Sequence, residues 1–280
     1  SHNFRNVTWK VYIEKENNMP DRVSDYVYVK SPWQFEIREI AVGAPGKGQI
    51  LVQIKACGVC GTDLFTADRT AEDWQSFGHE MSGVVLEVGE GVSEFAVGDR
   101  VALDSSAPCG KCEYCRPTPY GRGRPDLCSA PVSYWNSTTM GYGEYIITPT
   151  ECVTKIPDSM SFEVASLAEP TGVALDVIAA ADITVGDNVL VMGPGPIGLI
   201  AACISKHMGA GRVIVSGRSR AKARLDAALK LGADEIIESD KISVANYDYG
   251  RRRPNKIFVT SPPETIPDAI TAADKGGVIV

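Results

Sequence analysis

Asn188-Val189-Leu190-Val191-Met192-Gly193-Pro194-Gly195-Pro196-Ile197-Gly198 decides how the C-terminal part of this chain is read. Five residues with four apolar in a row suit a strand buried on both faces, as in a parallel sheet. The glycines that follow permit a tight turn, and Ile197 to His207 then reads as a helix. A Gly-x-Gly-x-x-Gly run between strand and helix lets the backbone approach a pyrophosphate, whose charge the helix N-terminus stabilises. Gly193, Gly195, Pro196, Ile197 and Gly198 are therefore candidate dinucleotide contacts. A glycine turn without a ligand is the plain alternative.

The alternation continues downstream. Arg212 to Ser216 reads as a second strand and Arg220 to Leu231 as a helix closed by Gly232. Further strands are predicted at Glu235 to Glu238, Lys256 to Thr260 and Gly277 to Val280. Strands alternating with helices mean a parallel, doubly wound sheet. The second strand ends Val215-Ser216-Gly217-Arg218-Ser219-Arg220. An NAD site usually carries an acidic residue here for the ribose hydroxyls. Gly217 removes it, and Arg218 and Arg220 suit a 2′-phosphate, which favours NADP over NAD; Ser216, Gly217 and Arg218 are candidate cofactor contacts. The alternative is that both arginines merely cover the next helix.

Upstream, from about Tyr26 to Pro149, short apolar or alternating runs are broken by glycine turns: Gln49 to Ile54, Gly83 to Val88, Arg100 to Leu103 and Glu144 to Ile147. This pattern predicts a compact, barrel-like β domain. Ser161 to Ala181 reads as helical, bounded by Pro157 and Asp187. The expected division is a domain of residues 1–168 and a second of residues 169–280. Hydrophobic content of 44% and charged content of 22% are ordinary for a globular chain of 280 residues. A net charge of -7 argues against nucleic acid as the partner. No signal-peptide pattern is present, and Val189 to Ile204, the most apolar stretch, is interrupted by glycine and proline. The expectation is a cytoplasmic protein without a membrane span.

Metal chemistry is written in two places. Cys57-Gly58-Val59-Cys60-Gly61-Thr62-Asp63 is followed by Gly78-His79-Glu80. A thiolate, an imidazole and a carboxylate suit a tetrahedral zinc ion with its fourth position open to substrate. Cys60 and His79 are two such ligands, with Glu80, or Glu169 in Leu167-Ala168-Glu169-Pro170, as the third. Asp63 would accept the second imidazole proton, and Thr62 would pass on an alcohol proton. Taken singly, His79 reads as a core histidine and Glu169 as a helix-capping carboxylate. Cys109, Cys112, Cys115 and Cys128 supply four thiolates for a closed structural zinc site. Disulfides are the alternative, disfavoured by the short spacings in a chain without a secretory signal. Cys57, Cys152 and Cys203 lack a partner pattern and read as buried apolar fillers, and His207 as structural.

These residues jointly resemble the zinc-dependent medium-chain dehydrogenase/reductase superfamily, which includes alcohol, sorbitol and threonine dehydrogenases. The resemblance covers the chain from about Tyr26 onward. It implies a GroES-like β-barrel catalytic domain plus a Rossmann cofactor domain. It also implies a catalytic Zn2+ on Cys60, His79 and a glutamate, and a structural Zn2+ on the cysteine quartet. The implied activity is hydride transfer between a secondary alcohol, polyol-like or a hydroxy amino acid, and NAD or NADP. Rival readings are an NADPH-dependent aldehyde or ketone reductase and a non-catalytic cofactor-binding relative. Homodimers or homotetramers are the assemblies the resemblance implies. Glutamate before proline at Glu169 is nearer to polyol dehydrogenases than to simple alcohol enzymes.

Four features depart from that pattern. Phe65 stands where a relay histidine is common. Twelve residues separate Cys115 from Cys128, so Pro117 to Gly123 is expected to be an extra loop. Ile242 to Asn255 is short, and the chain stops at Val280 on what should be a Rossmann strand. Phe65, Trp74 and Trp135 are the residues expected to shape a substrate pocket.

Overall fold

In the computed structural model, which describes residues 22–116, 124–135 and 137–280, the chain divides between Ser166 and Leu167 into two units. The first is built from strands. β1 (Val23–Lys30) and β2 (Gln34–Ala41) form a hairpin with Val23 opposite Ala41. β3 (Gln49–Gly58) leads into the short helix α1 (Gly61–Phe65), and β4 (Gln75–Ser76) pairs with the free side of β1. There follow β5 (Glu80–Val88), β6 (Arg100–Leu103), β7 (Ser106–Ala107), β8 (Val132–Ser133), β9 (Tyr145–Pro149) and β10 (Val153–Lys155). The last element is helix α2 (Phe162–Ala165). Five strands make an antiparallel sheet in the order β10-β6-β5-β3-β9, and β7 and β8 form a separate ribbon.

Strand alternation sorts the side chains of this sheet. Ile50 and Val52 of β3, Met81 and Val85 of β5, Val101 and Leu103 of β6 and Ile146 of β9 share one buried cluster. Each such side chain contributes about 1.5–3 kcal/mol by leaving water. Leu51 points the other way, onto Tyr26, Tyr28 and Val42. β3 runs beyond the Gln49 to Ile54 expected from sequence because Cys57 and Gly58 pair with Met81 and Glu80. Two register shifts, at Leu51/Val52 and Ile54/Ala56, bend it before the turn into α1.

The second unit alternates. α3 (Ala168–Ala181), β11 (Asn188–Met192), α4 (Pro196–His207), β12 (Arg212–Gly217), α5 (Lys222–Lys230) and β13 (Glu235–Glu238) come first. β14 (Lys256–Val259), α6 (Ile266–Ala272) and β15 (Val278–Ile279) complete it. The sheet order is β13-β12-β11-β14-β15 with every pairing parallel, so the winding direction reverses beside β11. Both faces are buried. Val189, Val191, Val213, Val215 and Phe258 pack with Ala174, Ala201 and Leu225 of the helices. Leu190, Met192, Ile214 and Ile257 pack with Val244, Tyr249 and Ala269 on the opposite side.

The helical stretch expected as continuous from Ser161 to Ala181 is broken into α2 and α3. Pro170 has no N–H to donate to the Ser166 carbonyl, so the ladder lapses there and α3 starts afresh with Pro170 in its first turn. The span Phe162–Ala181, with a mean hydropathy of 1.4, is long and apolar enough to cross a membrane by length and composition, which the sequence reading did not expect. Its Ala174, Ile178 and Ala181 instead join the core beside β11 and β12, the placement of a core helix.

Two polar ties hold the strand starts of this unit. Lys256 donates to the Ala181 and Asp182 carbonyls, placing a cation at the C-terminus of α3. Buried Asp187 accepts from the Thr184 N–H at 2.8 Å and from Asn255 Nδ2 at 2.7 Å, while Asn255 Oδ1 accepts from the Asn188 N–H at 2.7 Å. Burial alone would raise the Asp187 pKa, but the bonds from Thr184 and Asn255 outweigh it and hold the carboxyl below its ordinary value. Its stabilisation is therefore complete above the unfolded value of about 4 and is lost as pH falls through the lower folded value. Asp187→Ala should cost about 2–3 kcal/mol in urea unfolding at pH 7. That gap from wild type should narrow as pH falls from about 4, where the unfolded chain takes up the proton, through the lower folded value, where the native carboxyl does.

Candidate active site

The corner between β3 and α1 places Cys60. Its backbone is extended (φ -86°, ψ 157°) at the N-terminus of the helix, and its N–H donates to Asp63 Oδ2 at 2.9 Å. His79 immediately precedes β5, after Gly78 at φ +89°, where a Cβ would meet the Tyr142 ring at 2.9 Å. Glu80 follows on β5, opposite Gly58, and its carboxylate occupies the space a Cβ at Gly58 would need. The Cys60 Sγ, a His79 ring nitrogen and a Glu80 carboxylate oxygen lie within 4.8 Å of one another. A thiolate, an imidazole and a carboxylate at this spacing fit a zinc ion.

Asp63 holds this corner. It is 4% exposed, and its Oδ1 is 3.5 Å from His79 Nδ1. That nitrogen is buried without a hydrogen bond of good geometry. Oδ2 lies 2.8 Å from Tyr142 Oη, which is also 2.9 Å from the Gly58 carbonyl. The single phenolic proton favours the charged acceptor. Burial would raise the Asp63 pKa, but contacts with His79, the Cys60 N–H and Tyr142 outweigh it and lower it. Burial likewise opposes charge on His79, yet its contacts with Asp63 and Cys60 raise the imidazole to about 10. A metal ion bound to the imidazole requires it neutral, so binding releases one of its two ring protons. Burial, with the charge of Asp63 beside it, pushes the Cys57 thiol up to about 12, which suits a neutral packing residue.

Other expected residues fall as follows. Thr62 is exposed, with its Oγ1 3.6 Å from Cys60 Sγ. Trp135 lies against His79 with ring centroids 4.9 Å apart and planes tilted by 57°, and Phe65 is 53% exposed. Trp74 instead packs with Tyr26 and Tyr28, under the Arg38 guanidinium. Glu169 belongs to the second unit, in the first turn of α3. Cys152 is buried as expected, but Cys57 and Cys203 are only half-buried, the latter with its sulfur 3.8 Å from His207 Nδ1. Tyr142 was not singled out from sequence, and only its partner Asp63 carried a local signal.

The cysteine quartet is assembled. Cys109, Cys112, Cys115 and Cys128 bring their sulfurs within 4.8 Å, with Sγ separations of 4.0 Å (109 to 115), 3.4 Å (112 to 115) and 3.9 Å (112 to 128). Zinc–sulfur bonds of ~2.3 Å in a tetrahedron require edges of ~3.8 Å, whereas a disulfide needs ~2.05 Å. All four thiols are free. N–H groups of Cys109 and Cys112 donate to the sulfurs of Cys128 and Cys109. The Ser129 N–H helps lower Cys112 to about 5, while burial and the neighbouring thiols push Cys115 up to about 12. Four thiolates cannot coexist here without a cation. The expected loop from Pro117 to Gly123 lies outside the described residues.

In the second unit the glycine loop joins β11 to α4. Gly193 has φ +117°, and a Cβ there would lie 2.8 Å from the Thr260 carbonyl oxygen. A Cβ on Gly198 would lie 2.1 Å from the Gly193 carbonyl oxygen, so helix and strand approach at glycine contact distance. Gly195, the residue capping α4, has nothing within 4 Å of that position and leaves space for a ligand above the helix N–H groups. Pro196 opens the helix, one residue earlier than expected. Ser216 and Gly217 end β12, and Arg218 and Arg220 are exposed beyond it.

The comparisons agree with this architecture. The alcohol dehydrogenase GroES-like domain matches residues 46–158, and the zinc-binding dehydrogenase domain matches residues 196–280. A sorbitol dehydrogenase of Halalkalibacterium halodurans is 36% identical over 75% of this chain and 60% of its own length. An L-threonine 3-dehydrogenase of Pyrococcus abyssi is 36% identical over 78% of this chain and 62% of its own. The chain thus spans about 60% of the length of these curated relatives. A short chain alcohol dehydrogenase of E. coli CFT073, complexed with NADH, has a TM-score of 0.80 at 30% identity, covering 92% of this chain and 75% of that one. A candidate zinc-binding dehydrogenase of Sinorhizobium meliloti 1021, bound to NADP, has a TM-score of 0.80 at 25% identity over 92% and 76%. The chain belongs to the zinc-type medium-chain dehydrogenase/reductase family.

Metal analysis by mass spectrometry should find about two zinc ions per wild-type chain. His79→Ala should leave about one, and Cys112→Ser should lose the other, with a lowered melting temperature. Tyr142→Phe should keep both ions but release the one at Cys60 to a chelator about tenfold faster, because Asp63 loses a donor.

Proposed function

We propose that this chain carries a zinc-dependent, NAD(P)-linked dehydrogenase of a secondary alcohol, polyol-like or a hydroxy amino acid. The observation that carries this reading is the convergence of Cys60, His79 and Glu80 donor atoms within 4.8 Å. In this reading residues 1–168 form the catalytic domain and residues 169–280 the cofactor domain. Cys60, His79 and Glu80 would hold the catalytic zinc, Glu169 being the alternative carboxylate, and the cysteine quartet the structural ion. Sorbitol and L-threonine 3-dehydrogenases among the relatives support the alcohol class. A cytoplasmic location fits four closely spaced free thiols.

Zinc at this position supplies Lewis-acid polarisation of an alcohol or carbonyl oxygen. A nicotinamide cofactor supplies the hydride acceptor or donor. The chain's own residues do the rest. Asp63 fixes the orientation of the His79 imidazole, and Tyr142 fixes Asp63. Trp135 contacts the His79 ring from one side and restricts its rotation. Thr62 Oγ accepts the proton of the substrate hydroxyl and passes it to solvent, because Phe65 offers no imidazole for a relay. The Gly193 to Gly198 loop seats the pyrophosphate at the N-terminus of α4. Relatives of known structure are bound to NADP in one case and NADH in another, so the preference is read from this chain's own Gly217 and Arg218, which favour NADP.

With a panel of polyols and hydroxy amino acids, Cys60→Ser should lower turnover at least about a thousandfold while NADPH affinity stays within about twofold. Undiminished turnover by zinc-free Cys60→Ser protein would sink the mechanism. Arg218→Ala should weaken NADPH binding by about tenfold and leave NADH binding unchanged.

A further inference from the structure

Gly217 ends β12, in register with Glu238 of β13, and the glycine loop crosses directly in front of it. A Cβ at position 217 would lie 2.6 Å from both Cδ and Cγ of Pro194, and 3.3 Å from Leu225 Cδ2. A proline ring cannot rotate away as a longer side chain would. Nor can the loop retreat. The Gly193 N–H donates to the Ser216 carbonyl at 2.9 Å, and Thr260 Oγ1 donates to the Gly193 carbonyl at 2.9 Å. We infer that Pro194 is a specificity-determining residue: its ring admits only glycine at position 217 and so excludes a ribose-binding carboxylate from the end of β12. It acts through Gly217, as a positioning residue, and carries neither the charge nor the hydrogen bond that a cofactor would read.

The segment beyond Gly217 is shaped to match. The Ser219 N–H and Oγ donate to Asp240 at 2.7 and 2.5 Å, which fixes the turn between Arg218 and Arg220. Neither guanidinium has a hydrogen bond or ion pair among the described residues. A bare backbone at 217 flanked by two uncommitted arginines fits a 2′-phosphorylated dinucleotide. This rests on reading the glycine loop as the cofactor site.

A double-mutant cycle tests it with Gly217→Asp, Pro194→Ala and the pair, reading melting temperature and the affinities of NADPH and NADH by nucleotide fluorescence. Gly217→Asp alone should lower the melting temperature by about 5 °C, weaken both nucleotides and gain no NADH affinity. Adding Pro194→Ala should restore most of the stability and raise NADH affinity about tenfold over wild type. If Gly217→Asp fails to fold, Gly217→Ala with and without Pro194→Ala gives the same steric readout. Additive melting temperatures, or a Gly217→Asp protein that binds NADH as tightly as the pair, would overturn the inference. Coupled melting temperatures with no binding of either nucleotide by any variant would instead defeat the cofactor reading, and the preference clause with it.

Discussion

One buried carboxylate organises the first unit's candidate site. Asp63 receives the Cys60 N–H from its own turn and the Tyr142 hydroxyl from the approach to β9, and it faces His79 just before β5. Three separate stretches of chain therefore meet on two oxygens. Burying a charge is costly unless it is fully bonded, so the arrangement stands or falls as a set. The same oxygens that make the carboxylate tolerable in the interior also hold Cys60 and His79 at the spacing a metal requires.

The second unit solves a different problem by similar means. Its loop brings strand and helix together, and two of its glycines do this at contact distances that leave no room for a Cβ. Gly193 closes on Thr260 and Gly198 closes on Gly193. Pro194 stiffens what would otherwise be the freest part of the turn, and the residue opposite it must then be glycine as well. Thus stiffness of the loop and chemistry at the end of β12 are one constraint rather than two.

What could be read from the sequence was what the chain writes within a few residues of itself. The quartet's spacing, the glycine loop between an apolar strand and a helix, and the Cys60 to Asp63 turn are all local patterns. Tyr142 lies 79 residues from Asp63, and only the folding of the β sheet brings them together. The contact of Glu80 with Gly58 depends on the β3–β5 register, which no short pattern encodes. Trp74 was expected to shape a pocket, yet its neighbours, distant in sequence, place it under Arg38. The helix break before Pro170 was written in plain view, but the alanine-rich run around it concealed it.

Where a sheet buries only one face, a slip by one residue throws its apolar set into water, and burial alone enforces the pairing. β11 and β12 are apolar on both faces, so such a slip would exchange Val189 and Val191 for Leu190 and Met192 at little loss of burial. The hydrophobic pattern is nearly blind to the error. Discrimination falls to the few polar atoms at the strand starts, where Asn255 reads the Asn188 N–H and Asp187 reads Asn255. Two side chains outside the sheet thereby act as its ruler.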